Sequence, residues 1–369
     1  MKKVLIVGMT PNPGGIENVI MNYYRNIDRS KIQFDFLCNT GKIAYQDEIV
    51  SLGGDVINIV SRSKQFFTYK KQLKQLFRDN AKKYSAIWVN FCNLTNLDYL
   101  KLAKKYGIKC RIMHSHNSQN MYSKKIEIIH KINKIFLHKY TTDFWACSED
   151  ASNWFYNKRI LESNKIVIVN NAIDLDKFKY NKKIEEEYKK RLGLEDKFVI
   201  GHVGRFQYQK NHEFLVNIFK KVYENNKKAH LLLVGQGEEQ ERIREVVKMM
   251  NLEEGVSFLG ARDDVPELMK AMDLFLFPSR FEGLGLVLIE AQAVGMPIIA
   301  SKDVIPYTVK MTNNFYFQSL EDDINEWAKK VMENMNKEKQ SEINISELQK
   351  NSYDIKIEVK KIEKFFEGV

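Results

Sequence analysis

The segment between residues 277 and 291 carries groups that could bind a ligand with both an anionic group and hydroxyl groups. An apolar run ends at Phe277, a glycine-containing loop follows, and a helical pattern begins near Gly285. The first amides of a helix have no intrahelical acceptor, and they favour phosphate. Glu282 in the loop and Glu290 one to two turns into the helix could accept hydrogen bonds from ribose or sugar hydroxyls. The alternative is that both carboxylates only favour the positive end of the helix dipole.

Two cations follow a second apolar run, which ends at Val203. Arg205 and Lys210 lie in the segment that comes directly after this run. Arginine offers a planar fork to phosphate oxygens and lysine a compact point charge, so the two are complementary for a diphosphate. A solvated pair of surface cations is the alternative. The position directly after a predicted buried strand favours the diphosphate.

A glycine pair, Gly14 and Gly15, follows the first apolar run of the chain and precedes a helical pattern. Such a pair lets the backbone approach a ligand closely. It is not the dinucleotide-binding fingerprint, because the third glycine is missing, and the turn at 235–240 fails in the same way. These departures, and the lack of a P-loop motif, argue against a dehydrogenase and against a P-loop kinase.

Two histidines, His114 and His116, follow another predicted strand. A His-x-His pair is a weak metal pattern when no third ligand stands at a sensible spacing. Asp174 and Asp176 have the spacing of a metal-binding acidic pair, but we interpret their segment as structural. We therefore expect no metal site, and we expect one of the histidines to make a polar contact with the ligand.

The elements that position these residues form two series. Short apolar runs alternate with helical patterns over residues 1–172 and again over 173–351, which is typical of parallel sheets with helical crossovers. We interpret 177–197 as a linker or surface excursion. The helical pattern at 352–369 could complete the second domain or return to the first. We therefore expect two doubly wound α/β domains facing each other across a cleft. Because ligands bind beyond the carboxyl ends of parallel strands, that cleft is the expected site.

Taken together, these motifs resemble the family 4 glycosyltransferases, which have the GT-B fold of two Rossmann-like domains. The resemblance rests on the glycine pair, the strand-end histidines, the Gly204-Arg205 and Lys210 element, and Glu282 seven residues before Glu290. The motifs occur in the family's order over nearly the whole chain. Bacterial exopolysaccharide and capsule transferases are the most similar subgroup.

This resemblance implies transfer of a sugar with retention from a nucleotide donor, expected to be a UDP-sugar, to a hydroxyl group. The first domain would lie on the acceptor side and the second would bind the donor. The resemblance implies catalytic roles for His116, Glu282, Arg205 and Lys210. It implies donor-binding roles for Gly14, Gly15, Arg205, Lys210, Arg262, Val265, Gly283, Gly285, Leu286 and Glu290. No cofactor is expected beyond the nucleotide-sugar co-substrate.

Individual roles follow from the same resemblance. Arg205 and Lys210 would hold the diphosphate, Glu290 would bind the ribose, and Glu282 would face the donor sugar. His116, or else His114, would contact the donor sugar or the diphosphate. Val265 and the backbone near Arg262 would flank the base.

The composition limits the compartment and the partners. The 369 residues include 58 Lys and Arg against 47 Asp and Glu, a net charge of +11, which favours anionic partners. Four scattered cysteines predict reduced thiols rather than disulfides or zinc. No stretch approaches the roughly 18 apolar residues of a spanning helix, and the first apolar run is too short for an export signal. We expect a soluble cytoplasmic protein that could work at the inner face of the cell membrane.

Two basic stretches, 62–83 and 123–139, carry apolar residues at helical spacing. Such a stripe usually packs into the core while the lysines are solvated. The alternative is peripheral docking on an anionic leaflet, where each basic residue contributes about 1 kcal/mol. No nucleic-acid motif accompanies the charge, so we expect no nucleic-acid partner.

The sequence therefore predicts a glycosyltransferase of the hexosyl-transferring type that builds surface polysaccharide on a lipid-linked saccharide acceptor. Two alternatives remain open. One is a catalytically silent, membrane-associated scaffold of a polysaccharide assembly complex, and the other is a UDP-sugar epimerase with the GT-B fold. The presence of all four charged motif residues argues against the silent scaffold.

Overall fold

The computed structural model describes residues 1–117, 123–163, 165–282 and 284–369. These residues form two compact units. The first unit contains Met1–Ala172 and Asp354–Val369, and the second contains Ile173–Tyr353. Each unit is built around one parallel sheet with helices between successive strands.

The first sheet has seven strands in the order β3-β2-β1-β4-β5-β6-β7, and all neighbouring strands are parallel. Strand β2 is buried along its whole length, although Gln33 and Asp35 interrupt its apolar residues. The strands are β1 Lys2–Val7, β2 Ile32–Cys38, β3 Val56–Asn58, β4 Ala86–Phe91, β5 Cys110–Ser115, β6 Asp143–Ala146 and β7 Ile166–Ile168.

In the described part of the first unit, α-helices lie along the chain between successive strands. They are α1 Gly15–Asn26, α2 Gln46–Ser51, α3 Phe66–Asn80, α4 Asp98–Lys105, α5 Lys124–Phe136, α6 Glu149–Phe155 and α7 Lys158–Leu161.

The second sheet has six parallel strands in the order β10-β9-β8-β11-β12-β13. Its two faces bury separate apolar cores. Leu232 and Val234 of β9 belong to one core, while Leu231 and Leu233 belong to the other. This alternation is the two-residue period of a strand that is covered on both faces. The strands are β8 Phe198–Val203, β9 Ala229–Val234, β10 Val256–Gly260, β11 Leu274–Phe277, β12 Ile298–Ser301 and β13 Phe315–Gln318.

Eight helices complete the second unit. They are α8 Leu175–Phe178, α9 Lys182–Leu192, α10 His212–Asn225, α11 Gln240–Met249, α12 Val265–Ala271, α13 Leu286–Val294, α14 Ile324–Glu333 and α15 Ser341–Lys350. The interpretation of 177–197 as a linker is wrong, because α9 fills most of it. Its Lys189 pairs with Asp273 at 2.8 Å, and its Tyr188 and Leu192 pack against the core.

The last helix, α16 Ile355–Glu367, belongs to the first unit. Phe366 is almost fully buried, and its ring contacts Phe34 and Trp88 at centroid distances of 6.0 and 6.3 Å. Glu363 also accepts a hydrogen bond from the amide of Asp28 at 2.8 Å. The C-terminal helix is therefore part of the first unit's core.

We expect the substitution Phe366→Ala to destabilise the first unit by ~3–5 kcal/mol, the usual effect of removing a buried phenyl ring. Urea unfolding followed by tryptophan fluorescence measures this change, since Trp88 lies against the ring. The matched control is Lys364→Ala on the exposed side of α16, which should change stability by less than ~0.5 kcal/mol. Equal stability of Phe366→Ala and the wild type would contradict the packing of α16 described above.

Candidate functional site

Most of the predicted site residues lie at one edge of the second sheet. In a parallel sheet the carboxyl ends of all strands meet at the same edge. Arg205 and Lys210 follow β8 there, Arg262 and Val265 follow β10, and Glu282 follows β11. The strand order places β8 directly beside β11, so the two loops that carry the opposite charges are neighbours.

The central contact of this edge is an ion pair between Lys210 and Glu282. The Lys210 Nζ atom lies 2.5 Å from Glu282 Oε1, and the two side chains are only 15% and 7% exposed. The same ammonium lies 4.5 Å from the centre of the buried Phe277 ring. Removing one partner of such a pair is destabilising, because the remaining charge is then largely removed from water and has no counter-charge.

Further hydrogen bonds join the same two loops. The Arg280 amide donates to the Gln209 carbonyl at 2.8 Å, and the Gln209 side chain donates to the Phe281 carbonyl at 2.9 Å. Asn211 donates from Nδ2 to the Pro278 carbonyl at 3.1 Å. The two loops therefore form one connected platform under the ion pair.

The glycine turn after β9 packs against the loop that carries Arg205. A Cβ on Gly235 would lie 2.0 Å from the Gly204 carbonyl oxygen, and its φ of +136° favours glycine. Phe206 donates its amide to the Gln236 carbonyl at 3.1 Å. The sequence showed this turn to be unlike a dinucleotide motif, and the structure shows that it packs against the Arg205 loop.

Arg205 differs from Lys210 in its surroundings. Its side chain is exposed, and it makes no hydrogen bond or ion pair within the part of the chain that the structure describes. Lys210, by contrast, is engaged by Glu282. The guanidinium of Arg205 is therefore available to a ligand, as a residue predicted to bind a diphosphate must be.

The start of α13 is the next component. Gly285 precedes the helix with a φ of +69°, and Leu286 is its first residue. Gln292 fixes the helix, since its amide donates to the Leu288 and Val309 carbonyls and its Oε1 atom accepts from the Met311 amide. The Leu286 and Val287 amides thus lie at a fixed position at the start of α13, whereas the Leu288 amide already donates to the Gly285 carbonyl at 2.8 Å. Gly283, also predicted to bind the donor, lies outside the described residues.

Glu290 is one turn into α13, partly exposed, and surrounded by apolar helix and core residues. Removal of its carboxylate from water raises its pKa to about 7. No described residue gives this carboxylate a hydrogen bond or an ion pair. The carboxyl group therefore has unused acceptor capacity at neutral pH, as a group that binds the hydroxyls of a ligand requires.

The predicted base-flanking residues have different environments. The Arg262 guanidinium binds Asp264 through two hydrogen bonds of 2.8 and 2.6 Å, which lower the pKa of Asp264. Val265 begins α12 and packs against the apolar core. The Arg262 side chain is therefore occupied, and only the backbone near it remains to contact a base, as the resemblance implies. That contact stays a prediction.

Two buried histidines beneath Lys210 were not found by sequence reasoning. His202 donates from Nδ1 to the Leu276 carbonyl at 2.9 Å, and its Nε2 atom has no partner among the described residues. His212 stacks on Phe206 at 4.1 Å. Burial, with a smaller contribution from the Lys210 charge, lowers their pKa values to about 3 and about 2. Both rings are therefore neutral, and they add no positive charge next to Lys210.

In the first unit, the glycine pair lies at the start of α1. Glu17, which the sequence analysis did not single out, is buried there and accepts a hydrogen bond from the Thr10 amide at 2.8 Å. Its Oε2 atom lies 2.9 Å from where a Cβ on Gly14 would be, whereas Gly15 has open space around it. A carboxylate already occupies this helix start, so a phosphate contact by Gly14 and Gly15 stays a prediction.

The two candidate histidines of the first unit are in ring contact, with centroids 4.0 Å apart. His114 is fully buried and accepts a hydrogen bond from the Trp88 indole at 3.3 Å. His116 is partly exposed and bonds through Nε2 to Asn90 Oδ1 at 2.9 Å, and burial lowers its pKa to about 3. Exposure thus favours His116 over His114 as the ligand-contacting residue, and both are neutral.

Family models match almost the whole chain once these elements are compared with known proteins. The model of glycosyl transferases group 1 matches residues 184–350, and that of glycosyltransferase family 4 matches residues 13–177. EpsF of Bacillus subtilis (strain 168), named as a glycosyltransferase, is 32% identical over 335 residues, which cover 89% of this chain and 87% of EpsF. The chain belongs to glycosyltransferase family 4.

Two other comparisons agree with this family 4 assignment. A UDP-Gal:alpha-D-GlcNAc-diphosphoundecaprenol alpha-1,3-galactosyltransferase of Escherichia coli is 26% identical over 307 residues, covering 81% of this chain and 79% of that enzyme. The crystal structure of Anabaena Alr3699/HepE in complex with UDP superposes with a TM-score of 0.78 over the full length of both chains, at 17% identity. The predicted GT-B fold is thereby confirmed.

The α5 helix of this family 4 enzyme has an unusual distribution of side chains. Its buried contacts are polar: His130 stacks on Trp154, Asn133 donates to the Leu94 carbonyl, and Lys134 donates to the Trp154 carbonyl. Five of its apolar residues are 42–59% exposed, and we define them as the α5 apolar face: Ile128, Ile129, Ile132, Ile135 and Phe136. Core packing of this stripe is therefore wrong for α5. It holds for the later part of α3, where Tyr69, Leu73 and Phe77 are buried, but not for Phe66 and Phe67 at its start, which are exposed.

Two further expectations for this family 4 enzyme concern a membrane-spanning helix and a metal site. No described helix has the length and apolar content required to cross a membrane. The described residues also contain no cluster of three or more His, Cys, Asp or Glu side chains that could hold a metal ion. The expectation that no metal is required stays a prediction.

We expect Glu290→Gln to stabilise the second unit more at pH 8 than at pH 5. The ordinary glutamate pKa of 4.5 applies to the unfolded chain, and the folded value is about 7. The wild type therefore loses stability as the pH rises through this window, because its carboxyl group ionises more readily when unfolded. The glutamine variant has no such loss, so the difference between the variants should grow by ~2 kcal/mol from pH 5 to pH 8.

Urea unfolding at the two pH values measures this difference. Glu241→Gln, at an exposed position of α11, is the control, and its effect should be the same at both pH values. A pH-independent effect of Glu290→Gln would show that the Glu290 carboxyl group titrates normally.

Proposed function

We propose that this enzyme transfers a sugar, with retention of anomeric configuration, from a UDP-sugar to a hydroxyl of a lipid-linked saccharide in surface polysaccharide biosynthesis. The observation that carries the proposal is the buried Lys210–Glu282 pair, which lies at the sheet edge where α13 begins and where Glu290 has unused acceptor capacity. Cations and amides suit a diphosphate, and a carboxylate suits ribose hydroxyls. The UDP complex of HepE supports a uridine nucleotide as the donor.

The donor diphosphate would be held by three kinds of group. Lys210 exchanges part of its contact with Glu282 for a phosphate oxygen, and Arg205 supplies the second cation. The first amides of α13, at Leu286, complete the cradle. Because the neighbouring His202 is neutral, the positive charge is concentrated on Lys210 and Arg205.

The chemical step breaks the bond between the anomeric carbon and the diphosphate oxygen. The electron pair of this bond goes to the diphosphate, and positive charge develops on the sugar. The acceptor oxygen bonds to the anomeric carbon on the same face, and its proton passes to the departing diphosphate oxygen. Preorganised cations and amides stabilise the negative charge that develops on the diphosphate in the transition state. This stabilisation lowers the activation barrier.

Glu282 is suited to orientation rather than to nucleophilic attack. Its carboxylate is engaged by Lys210 at 2.5 Å, and a retaining hydrolase would need a free carboxylate with an acid partner 5–5.5 Å away, roughly. Glu282 would therefore face the hydroxyls of the donor sugar while it holds Lys210. His116 would contact the donor sugar or the diphosphate.

We place the reaction at the cytoplasmic face of the cell membrane. The name of the E. coli relative specifies a diphosphoundecaprenol acceptor, which supports a lipid-linked acceptor here. The α5 apolar face is flanked by the exposed lysines Lys124, Lys125 and Lys131. Exposed apolar groups beside lysines fit an anionic lipid surface. The apolar groups insert between the lipids, and the lysines are attracted to the negative headgroups.

Calorimetric titration with UDP, GDP and ADP tests the donor site. UDP should bind most tightly, and Lys210→Ala should weaken UDP binding by about 10–100-fold, because it removes a charge-assisted contact and leaves Glu282 unpaired beside the diphosphate. Adding Glu282→Gln to Lys210→Ala should recover part of the loss. Lys248→Ala, an exposed cation on α11, is the matched control. Failure of the folded wild type to bind any of these nucleotides would overturn the donor assignment.

Vesicle flotation tests the membrane proposal. The triple substitution Ile128→Ser, Ile132→Ser and Ile135→Ser should weaken binding to vesicles containing phosphatidylglycerol by about 10–100-fold, because each isoleucine loses ~1 kcal/mol of partial burial. Ile343→Ser, an equally exposed isoleucine on α15, is the control and should bind like the wild type. Unchanged binding of the triple variant would show that the α5 apolar face does not contact lipid.

A further inference from the structure

Two adjoining cavities of the first unit change in chemistry from one end to the other. The first, about 370 Å³, opens at the carboxyl ends of β1, β2 and β4. The other, about 510 Å³, continues from it and is lined by Phe66 at the start of α3. Asn39, Thr40 and Arg62 line both cavities, so the two lie side by side.

The first cavity is lined by amides and hydroxyls held in place by tyrosines. Four asparagines contribute to it: Asn39, Asn90, Asn93 and Asn96. Asn39 donates to the Tyr99 hydroxyl and Asn96 to the Tyr69 hydroxyl, both at 3.0 Å. Side-chain amides fixed in this way can both donate to and accept from sugar hydroxyls. The lining therefore suits a saccharide.

Arg62 lies where the two cavities meet. Its only described hydrogen bond is from NH1 to the Thr95 carbonyl at 3.2 Å, and no described carboxylate lies within ion-pair distance. The nearby Asp98 is paired with Lys70 at 2.6 Å. The Arg62 guanidinium is thus a half-buried cation without a counter-charge, and its fork geometry fits a phosphate.

Two aromatic rings lie at the start of α3, beyond Arg62 along the chain. Phe66 and Phe67 are 46% and 86% exposed and contact each other edge to face at 5.6 Å. The later apolar residues of the same helix, Tyr69, Leu73 and Phe77, are buried. The exposed pair therefore does not pack into the core. Phe66 lines the second cavity, and Phe67 extends its apolar surface outward into solvent.

We propose that the two cavities form the binding track of the lipid-linked acceptor. The asparagines bind the saccharide, Arg62 binds the phosphate group attached to it, and Phe66 with Phe67 contacts the first part of the hydrocarbon tail. The order polar, cationic, apolar along the track is the order of saccharide, phosphate and lipid in such a molecule. This inference rests on the proposed function, since it names where and how the acceptor of that reaction is recognised.

Calorimetric titration of the full chain, saturated with UDP so that the donor site is filled, tests the track. Farnesyl diphosphate, farnesol and inorganic pyrophosphate are the probes, because they separate the phosphate from the hydrocarbon. Farnesyl diphosphate should bind the wild type at least tenfold more tightly than either of the other two. Arg62→Ala should weaken this binding at least tenfold, while Arg62→Lys, which keeps the charge, should recover part of it.

The substitution pair Phe66→Ser and Phe67→Ser should weaken farnesyl diphosphate binding severalfold and leave pyrophosphate binding unchanged. Lys71→Ala removes an exposed cation from the same helix and is the matched control, expected to bind like the wild type. Equal binding of farnesyl diphosphate by the wild type, Arg62→Ala and the phenylalanine variant would overturn the track, as would farnesol binding as tightly as farnesyl diphosphate.

Failure of this inference is distinguishable from failure of the proposed function. All the first-unit variants should bind UDP like the wild type, since their substitutions leave the second unit intact. If the wild type binds UDP, but Arg62→Ala and the phenylalanine variant bind farnesyl diphosphate as tightly as the wild type does, the acceptor track is wrong and the donor site stands. If the wild type binds no UDP, the donor assignment itself fails.

Discussion

The ion pair between Lys210 and Glu282 is the contact on which the second unit's site depends. It joins the loop after β8 to the loop after β11, and both side chains are largely removed from water. A lysine in that position needs a counter-charge, because an unpaired buried ammonium is costly. Glu282 supplies the counter-charge in the free protein, and a diphosphate would supply a stronger one. The pair thus keeps the cation in place before the donor arrives.

The parallel sheet is what makes this contact possible. Adjacent β8 and β11 deliver their loops to the same edge, and the backbone contact between Gly235 and Gly204 leaves no room for side chains below them. The neutral His202 fills the space beneath Lys210 without repelling it. Glu290 completes the edge from α13, where partial burial leaves its carboxyl group titrating near neutrality. Each component is positioned by packing that has nothing to do with ligand binding.

The sequence predicted the two parallel sheets because buried strands read as uninterrupted apolar runs, as in β9. It also predicted the loops that bring Lys210 and Glu282 together, because both directly follow such runs. It could not predict the buried Glu17 at α1 or the helical α9, since a carboxylate and a charged stretch look solvated until tertiary contacts are known. The sequence favoured core packing of the α5 apolar face and left membrane docking as the alternative, because helical periodicity shows that one side of a helix is apolar but not which side faces the protein. The placement of α16 in the first unit depends on Phe366 meeting Trp88, a contact between distant parts of the chain.

A crystal structure of the protein with UDP tests the central claim most directly. The account predicts that Lys210 Nζ lies about 3 Å from a phosphate oxygen, with the ribose hydroxyls on the Glu290 carboxylate. The diphosphate would also meet the first amides of α13 and the Arg205 guanidinium. A nucleotide bound away from the carboxyl edge of the second sheet, or a ribose without contact to Glu290, would contradict the account.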